Sequence, residues 1–278
     1  MEMIFSSDVM KLNNKNEVPY LTYKALDDIP FIRHCFSTRL GGVSEGEFES
    51  MNLSFGRGDS DEKVRENYRR LCQSAGLEFD SLTASAQDHH TFVRKVGVNE
   101  RGIGIYKPRD MQSVDALTTN ERGVTLVTYY ADCTPIFFVD IKNKAIALAH
   151  AGWRGTAGRI AGKVVNAMKD SYGTDPSELV CAIGPAISKC CYEVDESCCQ
   201  HFKAMDDLNT EAFIFPKDGG KYMLDLLEVN RQILIKSGVR NENITVSDLC
   251  TCCNSELLWS HRATKGKRGG MAAFMCLN

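Results

Sequence analysis

Three apolar runs crowd the middle of the chain, Val124 to Tyr130, Pro135 to Asp140 and Lys144 to Ala149, parted only by Ala131-Asp132-Cys133-Thr134 and by a turn at Asn143. Short runs rich in β-branched and aromatic residues, bounded by turn residues, read as strands. Three of them in quick succession commit the chain to a sheet core on which everything else must pack. Further strands are expected over 20–24, 31–37, 82–86, 91–96, 179–183, 244–247 and 270–276. A helix is expected where Val64, Tyr68, Leu71, Cys72 and Ala75 share one face, with Asp59 or Ser60 as N-cap and Gly76 past its end. A second has the stripe Ile160, Val164, Ala167 and Met168, closed by Gly173, and two more cover 195–205 and 224–237. Helices and strands do not alternate strictly, which points to α+β layers and away from a doubly wound sheet.

Composition narrows the function classes. At 278 residues with 43% hydrophobic and 25% charged, the chain has the content of a folded protein. With no repeat or long linker it is expected to form a single continuous domain over 1–278. A net charge of −3 offers no bulk attraction to a polyanion, so nucleic acid is not an expected partner. Neither a signal-like N-terminus nor an 18-residue apolar stretch occurs, so no membrane association is expected and a soluble, cytoplasmic protein is. The twelve cysteines are then expected to stay mostly thiols.

Candidate chemistry lies at strand ends and turns. His89 stands in Ala-Gln-Asp-His-His, Cys133 in Ala-Asp-Cys-Thr, and His150 in Ala-His-Ala-Gly-Trp-Arg-Gly. Two imidazoles and a thiolate suit zinc with one coordination position left open; three partly buried core residues are the equal alternative. Arg39 in Ser-Thr-Arg-Leu-Gly-Gly and Arg154 in Gly-Trp-Arg-Gly each place a guanidinium beside glycine amides, either to hold an anion or simply as solvated turn residues.

Taken together, His-Cys-Phe-Ser-Thr-Arg-Leu-Gly-Gly, Asn-Leu-Ser-Phe, Gln87-Asp-His89, Ala-Asp-Cys133, His150-Ala-Gly-Trp-Arg-Gly, Ala-Ile-Gly-Pro-Ala-Ile, Cys-Tyr-Glu-Val and Asp-Leu-Cys-Thr-Cys-Cys resemble the YfiH/YlmD family, also called the laccase-domain or multicopper polyphenol oxidase family. The match runs in order from about residue 30 to the C-terminus. It implies a four-layer αββα fold with mixed sheets, of the CNF/YfiH-like cysteine-hydrolase type, and a zinc site on His89, Cys133 and His150. It also implies purine nucleoside phosphorylase activity, with adenosine deaminase and methylthioadenosine phosphorylase activities beside it, so the partners would be purine nucleosides and phosphate. The family usually has glycine where this chain has His90, which opens a choice between His89 and His90; His89 keeps the Gln-x-His register.

On this reading zinc, with copper as the other candidate ion, orients an oxygen nucleophile or a ribose hydroxyl, and Arg39 and Arg154 neutralise phosphate. Asn52 contacts sugar or base by its family position, or caps a turn. Asp132 is a candidate proton carrier or a structural residue. The resemblance also implies a different reaction class, amide hydrolysis in cell-wall peptide editing, for which Cys133 would be the nucleophile and His150 the base. Copper-dependent phenol oxidation ranks lower, because the chain has only six histidines and His34, His201 and His261 lie outside the constellation. Cys250, Cys252 and Cys253 could join Cys190 and Cys191, or Cys198 and Cys199, around a second ion, but their spacing matches no four-ligand zinc ribbon, and reduced buried thiols are the simpler expectation. The basic run from Arg262 to Arg268 reads as a solvated loop, or as one that closes over a phosphate, and Trp153 as a packing residue or a stacking partner for a purine.

Overall fold

The structure, a computed structural model, describes residues 5–278. Two six-stranded mixed sheets dominate it. The first has the order β1 (Met10–Lys15), β2 (Val18–Tyr23), β3 (Ile32–Ser37), β15 (Met271–Leu277), β7 (Thr125–Tyr130) and β4 (Leu82–Ala84). The second runs β14 (Ile244–Val246), β10 (Val180–Ile183), β8 (Thr134–Asp140), β9 (Ala145–Ala151), β6 (Val114–Thr119) and β5 (Phe92–Lys95). A small sheet joins β11 (Glu193–Asp195), β13 (Lys221–Leu224) and β12 (Ile214–Lys217). The helices are α1 (Lys24–Asp27), α2 (Asp61–Ala75), α3 (Trp153–Ala157), α4 (Ile160–Tyr172), α5 (Glu196–Lys203), α6 (Leu226–Lys236) and α7 (His261–Thr264). None is long and apolar enough to cross a membrane among the described residues.

Strand alternation explains how the layers meet. In β15, Met271, Ala273, Met275 and Leu277 enter the core between the two large sheets, while Ala272, Phe274 and Cys276 turn to the opposite core, where α2 brings Val64, Tyr68, Leu71 and Cys72. In β9, Ile146 and Leu148 face the inter-sheet core, and Ala145, Ala147, Ala149 and Ala151 face Ile160, Val164 and Met168 of α4. Every residue of β8, β9 and β15 is buried, which is why these strands read as unbroken apolar runs.

Most expected elements are present within a few residues. The helix expected from Leu224 begins at Leu226, because Leu224 completes β13 and Asp225 caps the helix by accepting the Glu228 N–H at 3.2 Å. Not foreseen were β1, β6 and the three-stranded sheet. Strand β6 carries Asp115 and two threonines among its apolar residues, and its burial comes from being flanked by β5 and β9.

Candidate active site

The second sheet and the turn that enters it assemble the site. Strands β8 and β9 are antiparallel, with Pro135 opposite His150 and Thr134 opposite Ala151, so Cys133, in the turn before β8, arrives beside the end of β9. His89 belongs to the loop between β4 and β5 and adopts a left-handed backbone, φ 69°. One ligand atom each from His89, Cys133 and His150 lies within 4.8 Å of the others. His90 is outside this set, its Nδ1 lying 2.7 Å from Asp88 Oδ1. Of the pair, His89 is the one whose ring lies in the donor set.

A buried carboxylate organises this convergence. Asp115 on β6 accepts the backbone N–H groups of Asp88, His89 and His90 at 3.3, 3.1 and 2.9 Å, and its Oδ1 lies 2.7 Å from His150 Nδ1. One side chain thus fixes both the His89 loop and the His150 ring, leaving Nε2 of His150 free for chemistry. Gln87 ties the same loop to β7, donating to Tyr129 O at 2.8 Å and accepting Tyr129 N–H at 2.6 Å. A Cβ on Gly152 would stand 2.6 Å from His89 Nδ1 and 3.2 Å from Cys133 Sγ, so no larger residue fits there without displacing the two side chains.

Burial opposes ionisation of the Cys133 thiol, but the neighbouring His150 ring, then His89, outweighs it and brings the pKa down to about 6. Burial likewise disfavours the His150 cation, while the Cys133 thiolate and the Asp115 carboxylate push its pKa up. The two groups titrate as a coupled pair in which charge on one favours charge on the other.

The three side chains open into a cleft of about 200 Å³. Phe55, Tyr129 and Tyr130 supply aromatic wall, and Arg57, Arg109 and Arg268 supply charge, with no carboxylate among the lining residues. Burial and then the nearby Arg57 lower the pKa of Arg268 to about 10, so it stays protonated at neutral pH. Its buried Nε has no hydrogen-bond partner.

Arg39, Arg154 and Asn52, the residues expected to hold phosphate or sugar, do not line the cleft. The Arg39 guanidinium stacks 3.8 Å from the Trp259 ring and donates to Ser255 O at 2.8 Å and Glu49 O at 3.1 Å, which leaves it fastening loops. Arg154 lies 4.1 Å over Trp153, whose ring packs 5.5 Å from His201 of α5; neither lines the cleft. Asn52 is fully buried, accepting the N–H groups of Ser54 and Gly270 at 3.0 and 2.9 Å and donating to Asp59 at 2.9 Å. Asp132 holds a turn: Oδ1 accepts the Thr251 hydroxyl at 2.6 Å and Oδ2 the Arg262 N–H at 2.7 Å. Sequence reasoning missed Asp115, Arg57 and Arg109. Only Asp115 left a readable signal, a lone carboxylate between Val114 and Ala116; Arg268 was marked by its basic run.

Comparison with known proteins now places the chain in a class. Residues 33–278 match the family model described as multi-copper polyphenol oxidoreductase laccase, and the chain belongs to that family. More particularly, it is 38% identical over 240 residues to "Purine nucleoside phosphorylase YlmD" of Geobacillus stearothermophilus, covering 86% of this chain and 88% of that one. It is 35% identical over 241 residues to the protein of the same name from Bacillus subtilis, covering 86% of each. The crystal structure of the Bacillus licheniformis hypothetical protein YfiH superposes with a TM-score of 0.90 at 30% identity, over 96% of this chain and 99% of that one. The α+β fold with mixed sheets is therefore shared with YfiH.

Proposed function

We propose that this chain is a metal-dependent purine nucleoside phosphorylase, converting adenosine, inosine or guanosine and phosphate to free purine and ribose 1-phosphate. The observation that carries the proposal is a single cleft in which the His89, Cys133 and His150 donor set faces Arg57, Arg109 and Arg268, with no carboxylate among the lining residues. The names of the relatives supply the reaction class. In the same reading the order of the cores, helix, sheet, sheet, helix, is a four-layer αββα arrangement, and kinship with cysteine hydrolases is part of the proposal.

The residues fit a metal ion. Two imidazoles and an ionisable thiol converge within reach of one centre, Asp115 fixes the tautomer of His150, and Gly152 leaves the cradle open. That donor set favours zinc, with copper a competitor by affinity order, and the bound ion would supply positive charge to a substrate oxygen.

The remaining work falls to the chain. Arg57 and Arg268, assisted by Arg109, take over the phosphate role first expected of Arg39 and Arg154, and hold the nucleophile's charge. Phosphorolysis forms a bond from a phosphate oxygen to C1′ as the bond from C1′ to N9 breaks and the electron pair leaves with the purine. Holding phosphate and nucleoside in one cleft supplies proximity. Phe55, Tyr129 and Tyr130 present faces on which a purine and its ribose can pack. Adenosine deamination and methylthioadenosine phosphorolysis belong to the same proposal as side reactions.

The test is a chromatographic assay of metal-loaded and chelated protein with adenosine and inosine, with and without phosphate. Free purine and ribose 1-phosphate are expected only with phosphate and only before chelation. No turnover by loaded protein would overturn the reading. A second reading then takes its place, because Asp115, His150 and Cys133 form a carboxylate, imidazole and thiol series suited to amide hydrolysis. Rapid alkylation of Cys133 by iodoacetamide in loaded protein would favour that reading; protection until chelation favours the metal. Copper-dependent phenol oxidation ranks below both, since the one histidine-containing donor cluster among the described residues holds two of the six histidines.

A further inference from the structure

Away from the cleft, four of the twelve cysteines meet. One sulfur each from Cys190, Cys191, Cys250 and Cys253 lies within 4.8 Å of all the others. They come from two segments, a turn at 189–191 and another at 251–257 with Cys250 just before it. Ala186 bridges Cys250, and Thr251 N–H donates to Ala186 O at 3.0 Å. Neighbouring side chains on an extended strand point to opposite faces. The turn at Cys190 and Cys191 instead presents both sulfurs to one point. The spacing resembles no zinc ribbon because one pair of cysteines is adjacent, at 190 and 191, and not separated by two to four residues.

The distances belong to a cluster. Cys253 Sγ is 3.6 Å from Cys190 Sγ and 3.4 Å from Cys191 Sγ, two near-equal approaches, whereas a disulfide joins one pair at about 2.05 Å. Four thiolates at about 2.3 Å from a tetrahedral ion stand about 3.8 Å apart. The surroundings suit ligation: Cys250 Sγ accepts the Ser188 N–H at 3.4 Å. The Arg262 guanidinium donates to Cys191 O at 3.0 Å and Glu193 O at 2.9 Å, placing a positive charge beside the cluster.

We propose that Cys190, Cys191, Cys250 and Cys253 form a second metal site, a four-thiolate centre for a divalent cation of the zinc class that clamps the 189–191 turn to the 250–254 segment. On loading, four sulfur–metal bonds form and the four thiols give up their protons to solvent; no oxidant or reductant is involved. The clamp has a mechanical reach. Ile187 N–H donates to Asp132 O at 2.9 Å and the Thr251 hydroxyl to Asp132 Oδ1 at 2.6 Å, so the two clamped segments brace the turn that carries Cys133 from behind.

Metal content per chain, measured by mass spectrometry on protein grown with zinc and purified under reducing conditions, separates this site from the cleft. Wild type is expected to hold two zinc equivalents, Cys133→Ser one, the pair Cys190→Ser and Cys253→Ser one, and the triple variant none. If the cleft binds no metal, wild type and Cys133→Ser each hold one and the paired variant none, so failure of either site is told apart. Unchanged zinc in the paired variant would overturn the proposal, as would a two-dalton mass loss mapping to a disulfide within the cluster. Because the paired variant could fail to fold, cobalt titration of the Cys133→Ser chain provides a second reading. One cobalt with thiolate charge-transfer absorption and four thiols shielded from alkylation is expected; no such absorption overturns it.

Discussion

Asp115 does not line the cleft, yet it holds two of the residues that do. It grips three consecutive amides and one imidazole at once, so Asp115→Asn, which keeps the shape but exchanges an acceptor for a donor, should disturb both His89 and His150. Metal affinity is expected to fall about 10- to 100-fold, with kcat falling alongside it, measured by competition with a chelating dye and by steady-state kinetics. Arg268 permits a sharper separation. Its unpartnered Nε and protonated state predict that Arg268→Gln raises KM for phosphate about tenfold or more while KM for the nucleoside changes little. Equal rises in both would remove Arg268 from the phosphate role. These two residues also show what a sequence conceals. In the sequence His89, Cys133 and His150 read equally as core residues until the family motifs join them, and with those motifs they stand out. Arginines do not: Arg39 beside glycines turned out to cross-brace loops around Trp259, while Arg57 and Arg109, with plainer surroundings, reach the cleft.

At the scale of elements, the turn from β9 into α3 is where backbone and chemistry meet. His150 ends the strand's contribution, Ala151 passes beneath, and Gly152 must let His89 and Cys133 approach within a methyl's breadth. Gly152→Ala is therefore expected to keep the fold and lose the site: a circular dichroism spectrum like wild type with metal content well below it. The strands that built this turn were legible because their burial on both faces leaves an apolar run. Strand β6 was not, since Asp115, Thr118 and Thr119 break the run, although neighbouring strands satisfy or cover each of them. The three-stranded sheet was hidden for the opposite reason: β11, β12 and β13 are three or four residues long and half-exposed, too short to establish a period.

For the whole molecule, stability against acid should carry the mark of one histidine. His34 is buried in β3 with Nε2 accepting the Tyr23 N–H at 2.8 Å, the rings of Tyr23 and Phe137 beside it and Asp27 4.0 Å away. Burial pushes its pKa down to about 3. The unfolded chain, with an ordinary pKa near 6.5, binds a proton that the folded chain refuses. This contribution is whole above pH about 6.5 and is lost as pH falls toward about 3, at about 1.4 kcal/mol per pH unit. Urea midpoints at pH 7, 6 and 5 should fall more steeply for wild type than for His34→Gln; parallel lines would show that His34 titrates as in the unfolded chain.

The position of β15 sets an order of events in synthesis. Residues 271–277 lie between β3 and β7, pairing Ala273 with Phe36 on one side and with Thr128 on the other. A ribosome makes β3 and β7 long before the strand that must separate them, so the first sheet stays open along its middle until residue 277 has left the exit tunnel. Closure of that sheet is therefore a late event, and until it happens two apolar strands stand with unpaired edges, the exposure that chaperones bind.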